Sequence, residues 1–334
     1  MEFDVAFIWA LLIAVAVLAY VILDGFDLGI GMLFPFLGSE ANRARAMNTV
    51  APVWDGNETW LILGGGGLFA VFPLAYAVIM PALYMPVMLM LFGLVFRGVA
   101  FEFRWRTVRW QKAWDASFFG GSLVAAFSQG IMLGALIQGI EVANRQYAGG
   151  WWDWLTPFSV LTGGALVIGY VLLGATWLVL KTDGELQNRA YGYSAVFTVL
   201  TLVMVGLVSL WTPFLDERFA VRWFSYPSIL YTSIVPVLLV AVFVGLYVSL
   251  RRRQDKWPFP LAISIFLISY VGLAISIFPM MVPPSITIWQ AAGPEDSLIF
   301  LLVGALILLP IILAYTAYSY WVFRGKVREG EGYH

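Results

Sequence analysis

Cysteine is absent from this chain of 334 residues, and histidine occurs once, as His334. The first absence excludes disulfides, iron–sulfur clusters, thiolate-ligated haem and cysteine-type zinc or copper sites together. The second leaves no imidazole inside a helix to hold a haem iron. The 11 methionines remain, but an unpaired Met in an apolar helix is ordinarily packing material. Charge is scarce as well. Asp, Glu, Lys and Arg make up 12% of the residues, against roughly 25% in a soluble domain. So little charge cannot cover a water-exposed surface. The net charge of −1 supplies no basic field for nucleic acid. A signal peptide is not expected either: Met1–Asp4 carries two acids and no base, and no small-residue cleavage site follows.

What the chain has in abundance is apolar length. Hydrophobic residues make up 61%, the mean hydropathy is +0.85, and the apolar residues come in long runs rather than in alternation. A membrane-crossing helix needs about 20 mostly apolar residues. Nine such segments are predicted: 6–34, 52–72, 74–100, 115–141, 157–180, 190–212, 227–250, 258–281 and 297–323. With the N-terminus outside, sixteen of the nineteen Lys and Arg fall in cytoplasmic segments, and only Arg145, Arg218 and Arg222 fall outside. That bias satisfies the positive-inside rule at every loop, so an all-α integral membrane protein of about nine transmembrane helices, N-terminus outside and C-terminus cytoplasmic, is the expected fold. Trp151, Trp152, Trp154, Trp223 and Tyr226 are expected at the outer interface, and Trp105, Trp110, Trp114, Trp257 and Trp321 at the inner one.

Acids inside apolar segments carry the chemical interest. DGFDLGIG (24–31) places Asp24 and Asp27 three residues apart on one helix face. A carboxylate in a membrane helix costs about 2.5–3.5 kcal/mol on insertion scales, so these two must be paired, protonated or wetted. A helix-to-helix contact and a proton-handling site both fit. APVWDGNETW (51–60) opens the second segment with Asp55 and Glu58, again three residues apart. One reading makes Asp55 an N-cap with Glu58 completing it. The other adds Asn57 and Thr59 as proton-relay partners, with Trp54 and Trp60 shielding the acids from water. Opposite chain directions place Asp24, Asp27, Asp55 and Glu58 together in the inner leaflet. FRGVAFEFR (96–104) supplies Arg97 as an ion-pair partner and Glu102 as a second polar group at the hydrocarbon edge. The glycines of 64–67 are expected to permit close packing, and Ser128, Gln129 and Gln138 to hold helices together.

These segments resemble the hallmarks of cytochrome bd quinol oxidase subunit II, including its cyanide-insensitive branch. DGFDLGIG, APVWDGNETW followed by GGGG, and FRGVAFEFR occur in order, with similar FPMMVPPSITIW (278–289) and PIILAYTAYSYWVFRGKV (310–327) stretches. The resemblance implies two four-helix bundles plus one peripheral helix: 1–141, 157–281 and 297–323, then a cytoplasmic tail over 324–334. It implies a haem-bearing subunit I as partner, often with a small single-helix subunit. Haems b and d would lie in that partner and none on this chain alone, which leaves room here for a bound quinone or lipid. The complex would oxidise quinol and reduce O₂ to water, taking protons from the cytoplasm without pumping. Asp55 corresponds to the acid implicated in proton uptake, and Asp24 and Asp27 to the acids at the subunit interface. Two other classes compete. A secondary transporter with an intramembrane acidic ion site predicts inverted repeats and a polar cavity at mid-membrane. A purely structural scaffold explains the glycines but not the acids.

Overall fold

The computed structural model describes residues 4–107 and 109–327. Residues 1–3, residue 108 and the tail 328–334, with Arg328 and His334, lie outside the described residues. The chain is built of helices. The first, α1 (Val5–Leu33), is 29 residues long, with the Asp4 side chain accepting from the Phe7 N–H at its start. At 1.5 Å per residue it measures about 44 Å, enough to cross a hydrocarbon core of about 30 Å with a turn or more to spare. A short polar helix, α2 (Glu40–Asn48), is capped by Ser39. Next come α3 (Trp54–Val71) and α4 (Pro73–Ala82), bent by 120° relative to each other.

That bend corrects the third expected segment. Residues 74–100 do not form one span. Phe72 leaves the helical region at φ −120°, ψ 61°, and Pro73, which has no N–H to continue the ladder, starts α4 in a new direction. A second break at Leu83 (φ −110°, ψ 20°) separates α4 from α5 (Tyr84–Arg104). Among the described residues, eight helices are individually long and apolar enough to cross a membrane, and the α3–α4 pair makes a ninth. The count of about nine stands, with α5 as the straight crossing helix of the third.

Other boundaries shift for local reasons. Helix α6 runs Gln111–Gln138 and stops at Gly139, whose φ of +103° few other residues adopt. A two-residue hairpin follows, β1 (Val142–Ala143) against β2 (Gln146–Tyr147). Helix α7 (Pro157–Lys181) opens with a reciprocal Thr156–Ser159 capping box. Helix α8 (Gly184–Trp211) begins six residues before the expected 190. The segment 227–250 is divided into α10 (Ile229–Thr232) and α11 (Ile234–Arg251), preceded by the amphipathic α9 (Glu217–Phe224). Helix α12 (Pro258–Ile277) ends before the hairpin of β3 (Met280–Val282) and β4 (Ile286–Thr287), and α13 (Ile288–Ala291) leads to α14 (Glu295–Val322).

Helix α1 lies at the centre, packed on α3, α6 and α7, while α5 packs on α6. Helix α7 also packs on α8 and α12, and α11 on both of those; α14 packs mainly on α1 and α3, and stays largely exposed. Glycine makes the central contact possible: a Cβ on Gly29 would overlap the Tyr170 carbonyl, and one on Gly174 would meet the backbone of Gly29 and Ile30. The two helix ends gather on two faces. On one, Arg45 pairs with Asp183, Lys181 donates to the carbonyls of Phe323 and Gly325, and Lys326 pairs with Asp255. On the other, the Trp289 indole donates to Asp4, and the Gly293 N–H donates to the Val71 carbonyl. Large apolar side chains such as Ile62, Phe300 and Leu306 stand exposed between the faces, as a lipid-facing surface requires.

Candidate proton-handling site

Three helices place charged side chains at one buried point, and a fourth adds a tyrosine hydroxyl. On α1, Asp24 and Asp27 are fully buried, and so is Arg97 on α5. Arg97 Nη2 lies 2.9 Å from Asp24 Oδ1 and 3.5 Å from Asp27 Oδ2, and its Nη1 lies 3.8 Å from Glu58 Oε1 on α3. These are ion-pair contacts. Among the described residues, no guanidinium nitrogen of Arg97 has a partner in hydrogen-bonding geometry, and neither has either oxygen of Asp24. Asn57 joins from α3: its Nδ2 donates to Asp27 Oδ2 at 2.8 Å and to the Leu23 carbonyl at 3.2 Å. Its Oδ1 accepts from the Tyr320 hydroxyl of α14 at 2.8 Å.

Two aromatic rings cover the guanidinium. Trp54 and Phe101 stack at 4.9 Å with 3° between their planes, and the Arg97 Cζ lies 5.7 Å from each ring centroid. The rings replace water on that side and offer their negative faces to the cation. Trp54 thus lies against Arg97, and not over the exposed Asp55 that it was expected to shield. Trp60 is buried instead against Ala16 and Tyr20.

The expected four-acid cluster is corrected to three. Asp55 is exposed, on the side of α3 turned away from α1. The helical wheel explains it: Asn57 points inward, and Asp55, two residues earlier, is rotated by about 160° from it. Glu58, about 100° from Asn57, takes an intermediate position, with 25% of its side chain exposed. Thr59 is also exposed, and its hydroxyl donates to the Gly56 carbonyl within its own helix. Glu102 is exposed on α5 and is not part of the cluster. Exposure therefore falls in order from Asp55 to Glu58 to Arg97, Asp24 and Asp27. Of the four glycines, Gly64 and Gly67 face Val17 and Ile13 of α1, whereas Gly65 and Gly66 have open space around them.

Sequence reading missed several partners. Tyr20, Tyr170 and Tyr320 are drawn in from α1, α7 and α14, and only Tyr20, one turn before Asp24, was discernible by spacing. Gln129, expected to hold helices together, joins two of these tyrosines. Arg104, on the same face of α5 as Arg97, is fully buried too, bound to Glu40 and Asp115. No group of three or more His, Asp or Glu among the described residues is placed to hold a metal ion. An apolar cleft of about 480 Å³ lies between α1, α3 and α14, lined by Trp9, Ile13, Gly67, Phe300, Gly304 and Leu308 among others. It offers a surface for a hydrocarbon tail and no charged group for a head.

Comparison with known proteins follows the same lines. The family described as cytochrome bd terminal oxidase subunit II matches residues 5–323. Subunit 2 of the cytochrome bd-I ubiquinol oxidase of Escherichia coli (strain K12) is 33% identical over 364 residues, covering 97% of this chain and 95% of that protein. Subunit 2 of the cytochrome bd ubiquinol oxidase of Bacillus subtilis (strain 168) is 32% identical over 334 residues, covering 97% of each. Among solved structures, a chain of the bd oxidase from Geobacillus thermodenitrificans superposes with a TM-score of 0.78 at 16% identity, over 96% of this chain and 98% of that one. That likeness concerns the fold.

Proposed function

The chain belongs to the cytochrome bd terminal oxidase subunit II family, and from that premise we propose that it is the haem-free subunit through which a quinol oxidase takes up cytoplasmic protons. As a family member it is a multi-pass protein of the bacterial inner membrane and a component of a respiratory quinol oxidase complex. The finer reading concerns what its buried charges do there.

The observation that carries it is a charge imbalance. Three carboxyl groups, Asp24, Asp27 and Glu58, share one guanidinium, Arg97. Fully ionised, the group would hold two uncompensated negative charges inside a membrane, where an unpaired charge is very unfavourable. Protons on the cluster relieve that imbalance, and their number can change as charge elsewhere in the complex changes. Asp55 and Glu58 form a graded approach: the exposed Asp55 collects a proton, and the half-buried Glu58 presents it to the buried pair. Asn57 occupies one oxygen of Asp27 and leaves the other free.

Haems b and d, quinol oxidation and the reduction of O₂ to water are assigned to the partner subunit I. The donors of this chain do not fit a haem: its histidine is terminal, and Met32, Met47 and Met90 are packed in the apolar core. The cleft beside α14 suits the tail of a quinone or lipid. We further propose two bundles, 1–141 and 157–281, with 297–323 as the peripheral helix, the N-terminus outside and the basic face cytoplasmic. A small single-helix subunit is compatible with the exposed flanks. Proton motive force then arises from proton uptake on one side without pumping.

Family membership sets the secondary-transporter expectation aside; the alternative for these acids is a structural role, and one comparison separates the two. In the assembled complex, Glu58→Gln and Asp55→Asn keep shape but lose titration. The proton-uptake reading expects full haem content with the proton-coupled steps of O₂ reduction slowed in stopped flow, by about 10²-fold or more at Glu58. Wild-type rates in both variants would assign the acids to structure and place the proton path in the partner subunit.

A further inference from the structure

We infer that Tyr320 of α14 is a positioning residue for the acid cluster: acting through Asn57, it reserves Asp27 Oδ1 as the oxygen that takes up a proton. Its functional meaning rests on the proton-uptake reading; its hydrogen bonds do not.

Asn57 sets the direction. It is 1% exposed, so its amide has to find its partners inside the protein. Its Nδ2 donates to the Leu23 carbonyl at 3.2 Å and to Asp27 Oδ2 at 2.8 Å. An amide nitrogen has two protons, and these two bonds use both. A backbone carbonyl only accepts. Turning the amide over would set its oxygen against the Leu23 carbonyl, two acceptors face to face, so the main chain of α1 fixes the orientation. Asn57 Oδ1 is then left in need of a donor, and the Tyr320 hydroxyl supplies it at 2.8 Å.

Tyr320 comes from a helix that otherwise faces outward. Most of α14 is exposed, yet Tyr320 is half-buried, its ring edge-on to Trp177 with centroids 6.2 Å apart. Just beyond it, Lys181 binds the carbonyls of Phe323 and Gly325, and Val327 donates to the Lys181 carbonyl and accepts from Arg45. These contacts anchor the end of α14 that bears the phenol, and a donor already held in place loses little freedom in making its bond.

The two oxygens of Asp27 are left unequal. Oδ2 receives the Asn57 N–H and lies 3.5 Å from Arg97 Nη2, whereas Oδ1 has no hydrogen-bond partner among the described residues. A neutral carboxyl carries its proton on one oxygen and accepts best through the other. Donors gathered on Oδ2 make it the carbonyl oxygen and leave Oδ1 to carry the proton. Without the Tyr320 hydroxyl, Asn57 Oδ1 becomes a buried acceptor with no donor, which is unfavourable, and the amide turns from the position in which it holds Oδ2. Asn57 and Tyr320 position and do not relay, because an amide would have to pass through an imidic form to hand on a proton.

The test uses the whole complex with its partner subunit, carrying carboxyl-labelled aspartate, read by infrared difference spectroscopy between the reduced and oxidised states. The Asp27 carboxylic-acid band is the labelled band lost in Asp27→Asn, or in Asp27→Glu should the first variant not assemble. In Asn57→Leu the carbonyl loses its donor, and the band is expected to move to higher frequency. In Tyr320→Phe it moves the same way by less. Had Oδ2 carried the proton, the carbonyl would be the unpartnered Oδ1, and neither variant would move it. An unmoved band in haem-replete Tyr320→Phe therefore overturns the inference, as does the lack of any Asp27 band, since Oδ1 then takes up no proton. Tyr318→Phe removes the same oxygen from an exposed side chain two residues away and should leave the band in place; an equal movement there would indicate a general response of α14 and overturn the inference as well. Glu58→Gln separates this from the reading it rests on. Slowed turnover there with an unmoved band in Tyr320→Phe removes the positioning role alone. Wild-type turnover there with a displaced band supports the positioning and removes the proton-uptake reading.

Discussion

Helix α5 carries two fully buried arginines seven residues apart, Arg97 and Arg104, and they live in opposite kinds of surroundings. Both lie against aromatic rings, Arg97 beside Trp54 and Phe101, Arg104 over Phe34 at 5.0 Å. Arg104 Nε lies 2.6 Å from Asp115, its Nη2 binds Glu40, and Arg43 reaches the same two acids. Two arginines face two carboxylates there, and both acids touch water, with 46% of the Glu40 and 18% of the Asp115 side chain exposed. Around Arg97, one arginine faces three carboxyls, two of them with no exposure at all. A balanced cluster at the edge holds α2 to α5 and α6. The unbalanced one in the interior is the proposed proton-handling site. Burial is common to the two arginines; the ratio of charges around them is what differs.

Removing each arginine sharpens the contrast. Arg97→Gln strands three acids without a cation and is expected to destabilise the assembled complex by about 3–5 kcal/mol. Complex yield and the thermal midpoint measure it. Adding Asp24→Asn should recover part of the loss, because it removes a charge that Arg97 had balanced; no recovery would mean that Arg97 serves mainly as packing.

Arg104→Gln should cost less, about 1–3 kcal/mol, since Glu40 and Asp115 keep Arg43 and water. Turnover per haem is expected to be unchanged. A loss of turnover equal to that of the Glu58 variant would erase the distinction between the two arginines.

Asp27→Ala tests the interior cluster from the acid side. It removes the acceptor for Asn57 and one neighbour of Arg97 while leaving the α1–α7 glycine contact intact. Assembly and haem retention should fall more than helicity, and circular dichroism beside haem content tells these apart. Unchanged haem content would remove Asp27 from any interface role.

The smallest effect is expected at the Asp255–Lys326 pair on the basic face, which closes at 2.6 Å. Burial alone would raise the Asp255 carboxyl, but donors from Lys326, Gln187 and Tyr191 outweigh it and hold it below the usual carboxylate range. A depressed carboxyl stabilises the folded chain above the ordinary range, about pH 4, and the contribution is lost as pH falls through the lowered value. The pair is more than a third exposed, so solvent screening reduces it to about 0–1 kcal/mol. Lys326→Ala should lower the thermal midpoint slightly at pH 7, and by less the further the pH falls below about 4. A deficit that does not shrink with acidity would assign the effect to packing.

Much of this protein was legible one segment at a time. Apolar run length gave the expectation of about nine crossings, against eight long apolar helices and one bent pair among the described residues, because lipid thickness sets helix length whatever the helices pack against. The basic residues marked one face, because loop charge is a local property. Asp24, Asp27, Glu58 and Arg97 were each identifiable, because an ionisable group inside an apolar run is exceptional wherever it sits.

Which of them meet was decided only by the tertiary structure. Asp55 and Glu58 share the three-residue spacing of Asp24 and Asp27, and spacing is blind to the rotation of a helix about its axis. Packing α3 on α1 turned Asn57 inward, left Glu58 at the margin and put Asp55 outside. The bend at Phe72–Pro73 is likewise invisible to hydropathy, which measures transfer from water and not direction. Tyr170 and Tyr320 reach the cluster from helices far along the chain. The sequence by itself determined which side chains cannot be left alone in a membrane. The fold decided which partner each received, because pairing depends on helix rotation and close approach, and these are set by contacts between segments.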